Sequence, residues 1–177
     1  CSMRRLMLLR HAKTERIAPS GQDRDRRLDE RGRIEAPEMG RYMARNGLVP
    51  EVMLVSPATR ARESALLVGA QFSPEPALLQ IADLYAADAS ELLRIVQEET
   101  PAKAQTALII GHNPGLHEFA ATLAARGDPK LAGLADNFPT AALAVIDFAA
   151  AAWPKIALYT GRIERFVSPR LLRESSS

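Results

Sequence analysis

The chain has 177 residues, of which 47% are apolar and 25% charged, and its formal net charge is +2. This length and apolar content fit one globular domain with a substantial core. Acidic and basic residues alternate, as in Asp23-Arg24-Asp25-Arg26-Arg27, so no block of one sign points to a nucleic acid or an anionic membrane as partner. No stretch approaches the roughly 20 apolar residues that span a bilayer.

The only cysteine is Cys1, so an intrachain disulfide is excluded. Proteins of a reducing compartment commonly lack disulfides, and we therefore expect a soluble cytoplasmic protein. We expect residues 3–170 to form a single domain and residues 171–177 to form a disordered tail. The sequence does not predict an oligomeric state.

The first half of the chain begins with an apolar run over Arg4–Leu9, which predicts a buried parallel strand. The polar stretch Ala12–Leu28 predicts a long loop of the kind that carries function. Asp29 is the expected N-cap of a helix that ends at Asn46-Gly47. A second strand follows over Val52–Val55. The next helix is expected to start with Ser56 as cap and Pro57 at its first position, and to have an apolar face of Ala61, Ala65, Leu66 and Val68.

The second half continues the alternation of strands and helices. The predicted elements are a strand within Leu78–Leu84, a helix from Ser90, a strand over Thr106–Ile110, a helix over Leu116–Ala125, and a hairpin of the strands Ala141–Phe148 and Ile156–Tyr159. This alternation predicts an α/β fold in which a mainly parallel sheet is covered by helices on both faces.

Three motifs follow predicted strands. Arg10-His11 follows the first strand, Arg60 lies shortly after the second, and Gly111-His112-Asn113-Pro114-Gly115 follows the strand over Thr106–Ile110. Ligands of open α/β sheets bind outside the carboxyl ends of the strands. We therefore expect two imidazoles and two guanidinium groups to converge on one pocket for an anion.

These residue types suit phosphoryl transfer. A neutral imidazole is a competent nucleophile, and nearby guanidinium groups would keep the pKa of His11 low. Arg10 and Arg60 can bind phosphoryl oxygens in bidentate fashion, and His112 can donate a further hydrogen bond. Each motif alone also has an ordinary structural interpretation, as a strand end, a solvated helix residue or a tight turn.

Other histidines and arginines are expected outside the pocket. His117 lies five residues beyond His112, a spacing that does not place two ligands on one helical face, so we interpret it as structural or surface-exposed. Arg62 is expected to be a solvated helix residue. No local spacing of the three histidines is typical of zinc ligands, and the segment Gly111–Gly115 lacks the ending of a nucleotide-binding P-loop.

In this order, Leu9-Arg10-His11-Ala12, Ser56-Pro57-x-x-Arg60-Ala61-x-x-Ser64-Ala65 and Gly111-His112-Asn113-Pro114-Gly115 resemble the histidine phosphatase superfamily. This is the phosphoglycerate mutase-like clan, and the likeness is strongest to its SixA-type phosphohistidine phosphatases. It extends over most of the chain, roughly Met3 to Arg170.

The resemblance implies a three-layer α/β/α sandwich. It also implies a hydrolase that works without metal or other cofactor, in which a histidine is transiently phosphorylated. By position, His11 is the nucleophile, and Arg10, Arg60 and His112 complete the phosphate pocket. Mutase-like members typically follow Arg-His with Gly-Glu, whereas this chain has Ala12-Lys13, which argues against a sugar-phosphate mutase.

The proton donor distinguishes the subclasses of this superfamily. An alkoxide leaving group needs a general acid, whereas an imidazole leaving group needs much less help. Asp83 and Asp88 are the available carboxylates near the expected pocket, and Asp88 fits a helix cap, so Asp83 is the possible acid. The compact chain leaves little room for insertions, which favours an open site able to admit a protein surface.

Further candidates lie beside the motifs. Lys13 and Asn113 are candidate substrate-binding residues. Lys13 and Arg16 either extend the positive field around the phosphate or belong to a solvated loop. Asp23 and Asp25 either orient these two cations or keep the loop soluble. Ser64 stands where the family often has threonine and keeps the hydroxyl.

Three functions remain open at this point. The first is a phosphatase acting on phosphohistidine in a protein such as a phosphotransfer domain. The second is a phosphatase for a small phosphomonoester, with Asp83 or Asp88 as acid. The third is a module that binds phosphate without turnover, although none of its four expected pocket residues is missing.

Overall fold

The structure, a computed structural model, describes residues 3–175. The strands are β1 (Arg4–Arg10), β2 (Val52–Val55), β3 (Ala77–Gln80), β4 (Thr106–Gly111), β5 (Leu143–Phe148) and β6 (Arg162–Val167). The α-helices are α1 (Glu30–Arg45), α2 (Thr59–Gly69), α3 (Ala89–Glu99), α4 (Gly115–Leu123), α5 (Leu131–Asp136) and α6 (Pro169–Ser175). Short 3-10 turns lie at Asp23–Asp25, Ala82–Leu84 and Trp153–Lys155.

The six strands form one sheet in the order β3-β2-β4-β1-β5-β6. Strand β1 runs parallel to β4, β4 runs parallel to β2, and β5 is antiparallel to both of its neighbours. The last paired residues of β1 and β4 are Arg10 and Gly111. His11 and His112 therefore follow adjacent strands at the same level of the sheet.

Helices cover both faces of the sheet, which confirms the three-layer α/β/α sandwich. On one face, α1 and α2 pack through residues such as Met39, Met43 and Ala65. On the other face, α3 and α4 pack through residues such as Ile95 and Phe119. The central strands are buried on both sides, which explains their continuous apolar sequences.

Helix α1 begins and ends where its sequence predicts. The Asp29 carboxylate accepts a hydrogen bond of 2.8 Å from the Gly32 amide as the N-cap. Asn46 is the C-cap and Gly47 has a φ of +68°, a conformation that glycine adopts without strain. Pro37 lies inside the helix without ending it.

Helix α2 differs from its prediction in two ways. It starts at Thr59, with Ala58 as the N-cap residue, and the Ser56 hydroxyl accepts from the Ala58 amide at 3.3 Å and contacts the side chain of His112. Leu66 is 65% exposed rather than part of the apolar face. Ala65 already faces the core, and the next residue lies about 100° further around the helix.

The predicted hairpin and third strand are also wrong in part. The partner of β5 is β6, not Ile156–Tyr159. The connection instead buries Trp153 and Ile156 in the core, and the Trp153 indole donates to the carbonyl of Ala104. Strand β3 ends at Gln80 and a 3-10 turn follows, and the short helix α5 has no predicted counterpart.

The C-terminal segment was expected to be disordered from residue 171, but residues 169–175 form α6. Leu172 packs against the core on the α1 side, and the Arg173 guanidinium contacts the Glu35 carboxylate at 2.8 Å. These contacts explain why the segment is ordered. Cys1 and the end of the expected tail, residues 176 and 177, lie outside the described residues. Within residues 3–175, no helix combines the length and apolarity needed to cross a membrane.

Candidate active site

His11 lies directly after β1 and is only 5% exposed. Its Nδ1 atom is 2.8 Å from the carbonyl oxygen of Ala12. A carbonyl oxygen can only accept, so Nδ1 carries the proton and the lone pair is on Nε2. The backbone therefore fixes the tautomer in which Nε2 can act as a nucleophile.

The surroundings of His11 keep it neutral. Burial is the main cause that lowers its pKa to about 3; the bond to Ala12 opposes this shift, and the nearby His112, Arg10 and Arg60 add to it. At neutral pH the imidazole is therefore uncharged. A neutral ring is the form that attacks phosphorus.

His112 faces His11 from the end of β4. The two ring centroids are 5.4 Å apart and the ring planes are inclined by 51°. The Nε2 atom of His112 is 2.7 Å from the Ser56 hydroxyl oxygen, at the end of β2. Burial, followed by the charge of Arg60, lowers the pKa of His112 to about 4. Its Nδ1 atom is buried and has no hydrogen-bond partner among residues 3–175.

Two guanidinium groups complete the site. Arg10 donates from Nη1 to the Phe138 carbonyl at 3.2 Å, and Arg60 donates from both Nη atoms to Asp23. In each arginine the Nε atom is buried and finds no partner in the described part of the chain. Burial and the neighbouring Arg60 lower the pKa of Arg10. Buried donors normally have partners, so this cluster of free donors suits an oxyanion.

Ser64 ties two of the motifs together. The Ala12 amide donates to the Ser64 hydroxyl oxygen at 2.9 Å, and that hydroxyl donates to the Arg60 carbonyl at 2.7 Å. The loop after His11 is thereby attached to the helix that carries Arg60. A serine or a threonine fits this position because either supplies the hydroxyl.

Asp23 and Tyr85 also belong to the site. The Tyr85 ring stands edge-on to His112, with 5.6 Å between the centroids, and its hydroxyl donates to Asp23 Oδ2 at 2.6 Å. No local pattern in the sequence predicts this contact, which joins residues 62 positions apart. The sequence suggests that Asp23 either orients Lys13 and Arg16 or keeps the loop soluble; in the structure it contacts Arg60 and, at 3.1 Å, Arg26.

The remaining loop candidates have other partners. Asn113 donates from Nδ2 to the Phe138 carbonyl, which Arg10 also contacts. Lys13 lies 3.4 Å from the Asp29 carboxylate. Asp25 accepts from the Ser20 hydroxyl, and Arg16 is exposed.

Within residues 3–175, neither candidate acid, Asp83 or Asp88, forms a hydrogen bond with His11 or His112. Asp83 is 67% exposed and forms an ion pair with Arg94 at 3.1 Å. Asp88 caps α3 and accepts from the Glu91 amide, as the sequence predicts.

The two residues expected to lie outside the site have structural roles. The Nε2 atom of His117 donates to the Leu134 carbonyl, and the exposed Arg62 donates to the carbonyl of Pro57. Across the described residues, no group of three or more His, Cys, Asp or Glu side chains is arranged to hold a metal ion.

Comparison with known proteins agrees with this geometry. Residues 6–145 match the family model for the histidine phosphatase superfamily (branch 1). An uncharacterized protein of Mycobacterium leprae is 30% identical over 169 residues, which cover 92% of this chain and 100% of that protein. An uncharacterized chloroplastic protein of Arabidopsis thaliana is 31% identical over 128 residues, which cover 68% of this chain and only 59% of that protein.

Solved structures extend the likeness to the fold. A provisionally named phosphohistidine phosphatase SixA from Agrobacterium tumefaciens is 30% identical, with a TM-score of 0.77, and the match covers 94% of this chain and 98% of that one. The protein histidine phosphatase SixA complexed with tungstate shares the fold at 22% identity and a TM-score of 0.77, over 95% and 99% of the two chains. By its motifs, its sheet order and these matches, the chain belongs to the histidine phosphatase superfamily (branch 1).

Proposed function

We propose that this protein is a phosphatase that removes the phosphoryl group from phosphohistidine in proteins, through a phosphohistidine intermediate on His11. The observation that carries the proposal is the state of His11. Its Nδ1 proton is committed to the Ala12 carbonyl, its ring is neutral, and it faces His112 beside two guanidinium groups with free Nε donors. This arrangement pairs a nucleophile with donors for phosphoryl oxygens.

In the first step, the Nε2 lone pair of His11 attacks the phosphorus atom of the substrate. The bond from phosphorus to Nε2 forms as the bond to the substrate nitrogen breaks. The other nitrogen of the substrate ring carries a proton, so the electron pair of the broken bond leaves on a neutral imidazole. Arg10 and Arg60 bind the nonbridging oxygens and balance their charge in the transition state. The Ala12 carbonyl stabilises the positive charge that develops on the His11 ring.

In the second step, water attacks phosphorylated His11. The bond from phosphorus to Nε2 breaks, inorganic phosphate forms, and His11 returns to its neutral state. His112 binds the phosphoryl oxygens in both steps, a role that its position opposite His11 supports. The depressed pKa of His112 keeps its ring neutral, so it can exchange a proton with water.

The leaving group decides the substrate class. Asp83 pairs with Arg94 and Asp88 caps α3, so neither is engaged with the site histidines. The pKa of Asp23 is lowered by its bonds to Tyr85 and Arg60, which makes this carboxylate a poor acid. A leaving group that needs little protonation, such as imidazole, fits these surroundings better than an alkoxide. The likeness to proteins named SixA supports the same choice.

The test compares three substrates: a phosphorylated histidine phosphotransfer domain, p-nitrophenyl phosphate and a simple alkyl phosphate. We expect efficient release of phosphate from the first, slower release from the second and very slow release from the third. Efficient hydrolysis of the alkyl phosphate, abolished by Asp83→Asn or Asp88→Asn, would establish a phosphomonoesterase instead. Phosphate binding without turnover of any substrate would establish a binding module.

A further inference from the structure

Arg60 is held along one edge of its guanidinium group only. Nη1 donates to the Asp23 carbonyl at 2.8 Å and Nη2 donates to Asp23 Oδ2 at 3.0 Å. A guanidinium group presents a second edge, formed by Nε and the other hydrogen of Nη2. Within residues 3–175, this Nε has no partner although it is buried. Asp23 thus occupies the end of the group, and the side edge has a buried Nε donor without a partner in the described part of the chain.

Asp23 is itself held in place. Tyr85 donates its hydroxyl to Asp23 Oδ2 at 2.6 Å, and Arg26 contacts Oδ1 at 3.1 Å. The bond to Asp23 raises the pKa of the Tyr85 phenol, so Tyr85 keeps the proton that it donates. The Tyr85 ring makes a T-shaped contact with His112, and the Arg24 guanidinium is 5.2 Å from the Tyr85 ring centroid.

We propose that Asp23 and Tyr85, here called the rim pair, are positioning residues that orient Arg60 for the phosphoryl group. The rim pair fixes the rotation of the guanidinium plane beside the two site histidines. This inference rests on the proposed function. It adds two residues, from loops after β1 and β3, that the family motifs in this sequence do not contain.

The opposite role for Asp23 predicts an opposite result. A carboxylate beside an anion site repels the anion, so a residue that merely competes for Arg60 would weaken phosphate binding. Its removal would then tighten the binding of phosphate. If Asp23 is a positioning residue, its removal weakens phosphate binding instead. The guanidinium group of Arg60 is then no longer held in the orientation that bidentate binding requires.

The experiment measures the affinity of inorganic phosphate by calorimetry, together with kcat and KM for p-nitrophenyl phosphate. For Asp23→Asn we expect about tenfold weaker phosphate binding and an equal loss in kcat/KM, because one charge-assisted bond is lost. For Tyr85→Phe, which keeps the ring but loses the hydroxyl, we expect about a threefold effect in the same direction. Thermal unfolding verifies that both variants are folded.

The matched control is Asp25→Asn. It removes the same charge from the same 3-10 turn, but its carboxylate contacts Ser20 rather than Arg60. We expect phosphate affinity within about twofold of the wild type. A loss in this variant as large as that of Asp23→Asn would mean that the net charge of the loop, not the positioning of Arg60, decides the affinity.

A double-mutant cycle separates positioning from other effects. In an Arg60→Ala background, Asp23→Asn is expected to change phosphate affinity no further, because Asp23 acts through Arg60. A further tenfold loss of phosphate affinity in the Arg60→Ala background would overturn the inference. Tighter phosphate binding, or unchanged binding, in the single variant Asp23→Asn would also overturn it. If the wild type binds phosphate but hydrolyses no substrate, the proposed function is refuted. The calorimetric comparison of phosphate affinities would still test the positioning of Arg60. A wild type that binds no phosphate would overturn both.

Discussion

The floor of the site and its rim are built in different ways. The floor consists of Arg10, the last paired residue of β1, and of His11 and His112, which directly follow the two central strands β1 and β4; both rings are mainly buried. The rim pair lies on loops and is joined only through side chains, and the Asp23 side chain is 53% exposed.

The strand residues and the loop residues of the site differ in rigidity. The backbone ladder of the sheet fixes the distance between the two imidazoles, and packing on both faces resists its change. The rim pair instead holds Arg60 through hydrogen bonds between loop side chains, which packing supports less. We therefore expect changes in the floor to abolish chemistry and changes at the rim to alter it by modest factors.

The largest expected effect comes from the nucleophile. His11→Ala is expected to lower kcat for a phosphorylated phosphotransfer domain by about a thousandfold or more, because the covalent route is lost. The control is His117→Gln, which keeps a donor for the Leu134 carbonyl and is expected to retain activity. Full activity of the His11 variant would disprove its role as nucleophile.

The next effect tests the geometry of the guanidinium group. Arg60→Lys keeps the charge but loses the bidentate edge, and we expect kcat/KM to fall about a hundredfold. Arg62→Lys, the same change on the exposed side of α2, is expected to stay within about twofold. Equal effects of the two changes would show that charge alone matters.

The buried floor also predicts how stability depends on pH. His11 and His112 have pKa values of about 3 and 4 in the folded protein, below the usual 6.5. Below about pH 6.5 the unfolded chain binds protons that the folded chain excludes, so each histidine lowers the free energy of unfolding by about 1.4 kcal/mol per pH unit. The stability that comes from keeping the two histidines neutral is fully present above pH 6.5. It is lost as the pH falls towards the folded pKa values.

Urea unfolding at a series of pH values measures this dependence. Between about pH 6 and pH 4.5, the free energy of unfolding is expected to depend less steeply on pH in His11→Ala than in the wild type. The difference in slope corresponds to one proton fewer taken up on unfolding. An identical slope in the wild type and the variant would show that His11 titrates normally in the folded protein.

A smaller effect is expected from the support of His112. Ser56→Ala removes the hydroxyl that lies 2.7 Å from Nε2 of His112. The ring then loses one hydrogen bond, and we expect kcat to fall about fivefold with little change in the fold. Ser90→Ala, which removes a hydroxyl from α3, serves as the control. A loss for Ser56→Ala no greater than that control would show that Ser56 does not support His112.

The smallest effect is expected from the carboxylate that the sequence suggests as an acid. Asp83→Asn breaks only an exposed ion pair with Arg94, so turnover of protein phosphohistidine should stay within about twofold of the wild type. A large loss would mean that Asp83 reaches the leaving group during catalysis, and the boundary between floor and rim would have to be redrawn.

Local signals in the sequence predicted the floor. Apolar runs mark β1, β2 and β4, and the residues after such strands meet at one edge of a parallel sheet. The helix caps predicted at Asp29 and Asp88 are equally local, and both are confirmed. The family motifs were therefore sufficient to predict that His11 and His112 lie together.

The rim and the second half of the sheet depend on distant contacts. Tyr85 meets Asp23 across 62 residues, and neither residue has a local pattern that identifies its partner. The segment Ile156–Tyr159 is apolar enough for a strand, but its isoleucine is used to fill the core beside Trp153. Tertiary packing decided between two structures that the local sequence allows equally.

The most direct measurement is the site of phosphorylation after rapid acid-free quenching of the protein with a phosphorylated phosphotransfer domain. The account predicts an acid-labile phosphoryl group on the peptide that contains His11, absent from His11→Ala and present in His117→Gln. A phosphoryl group on another residue, or release of phosphate at the wild-type rate by His11→Ala, would contradict it.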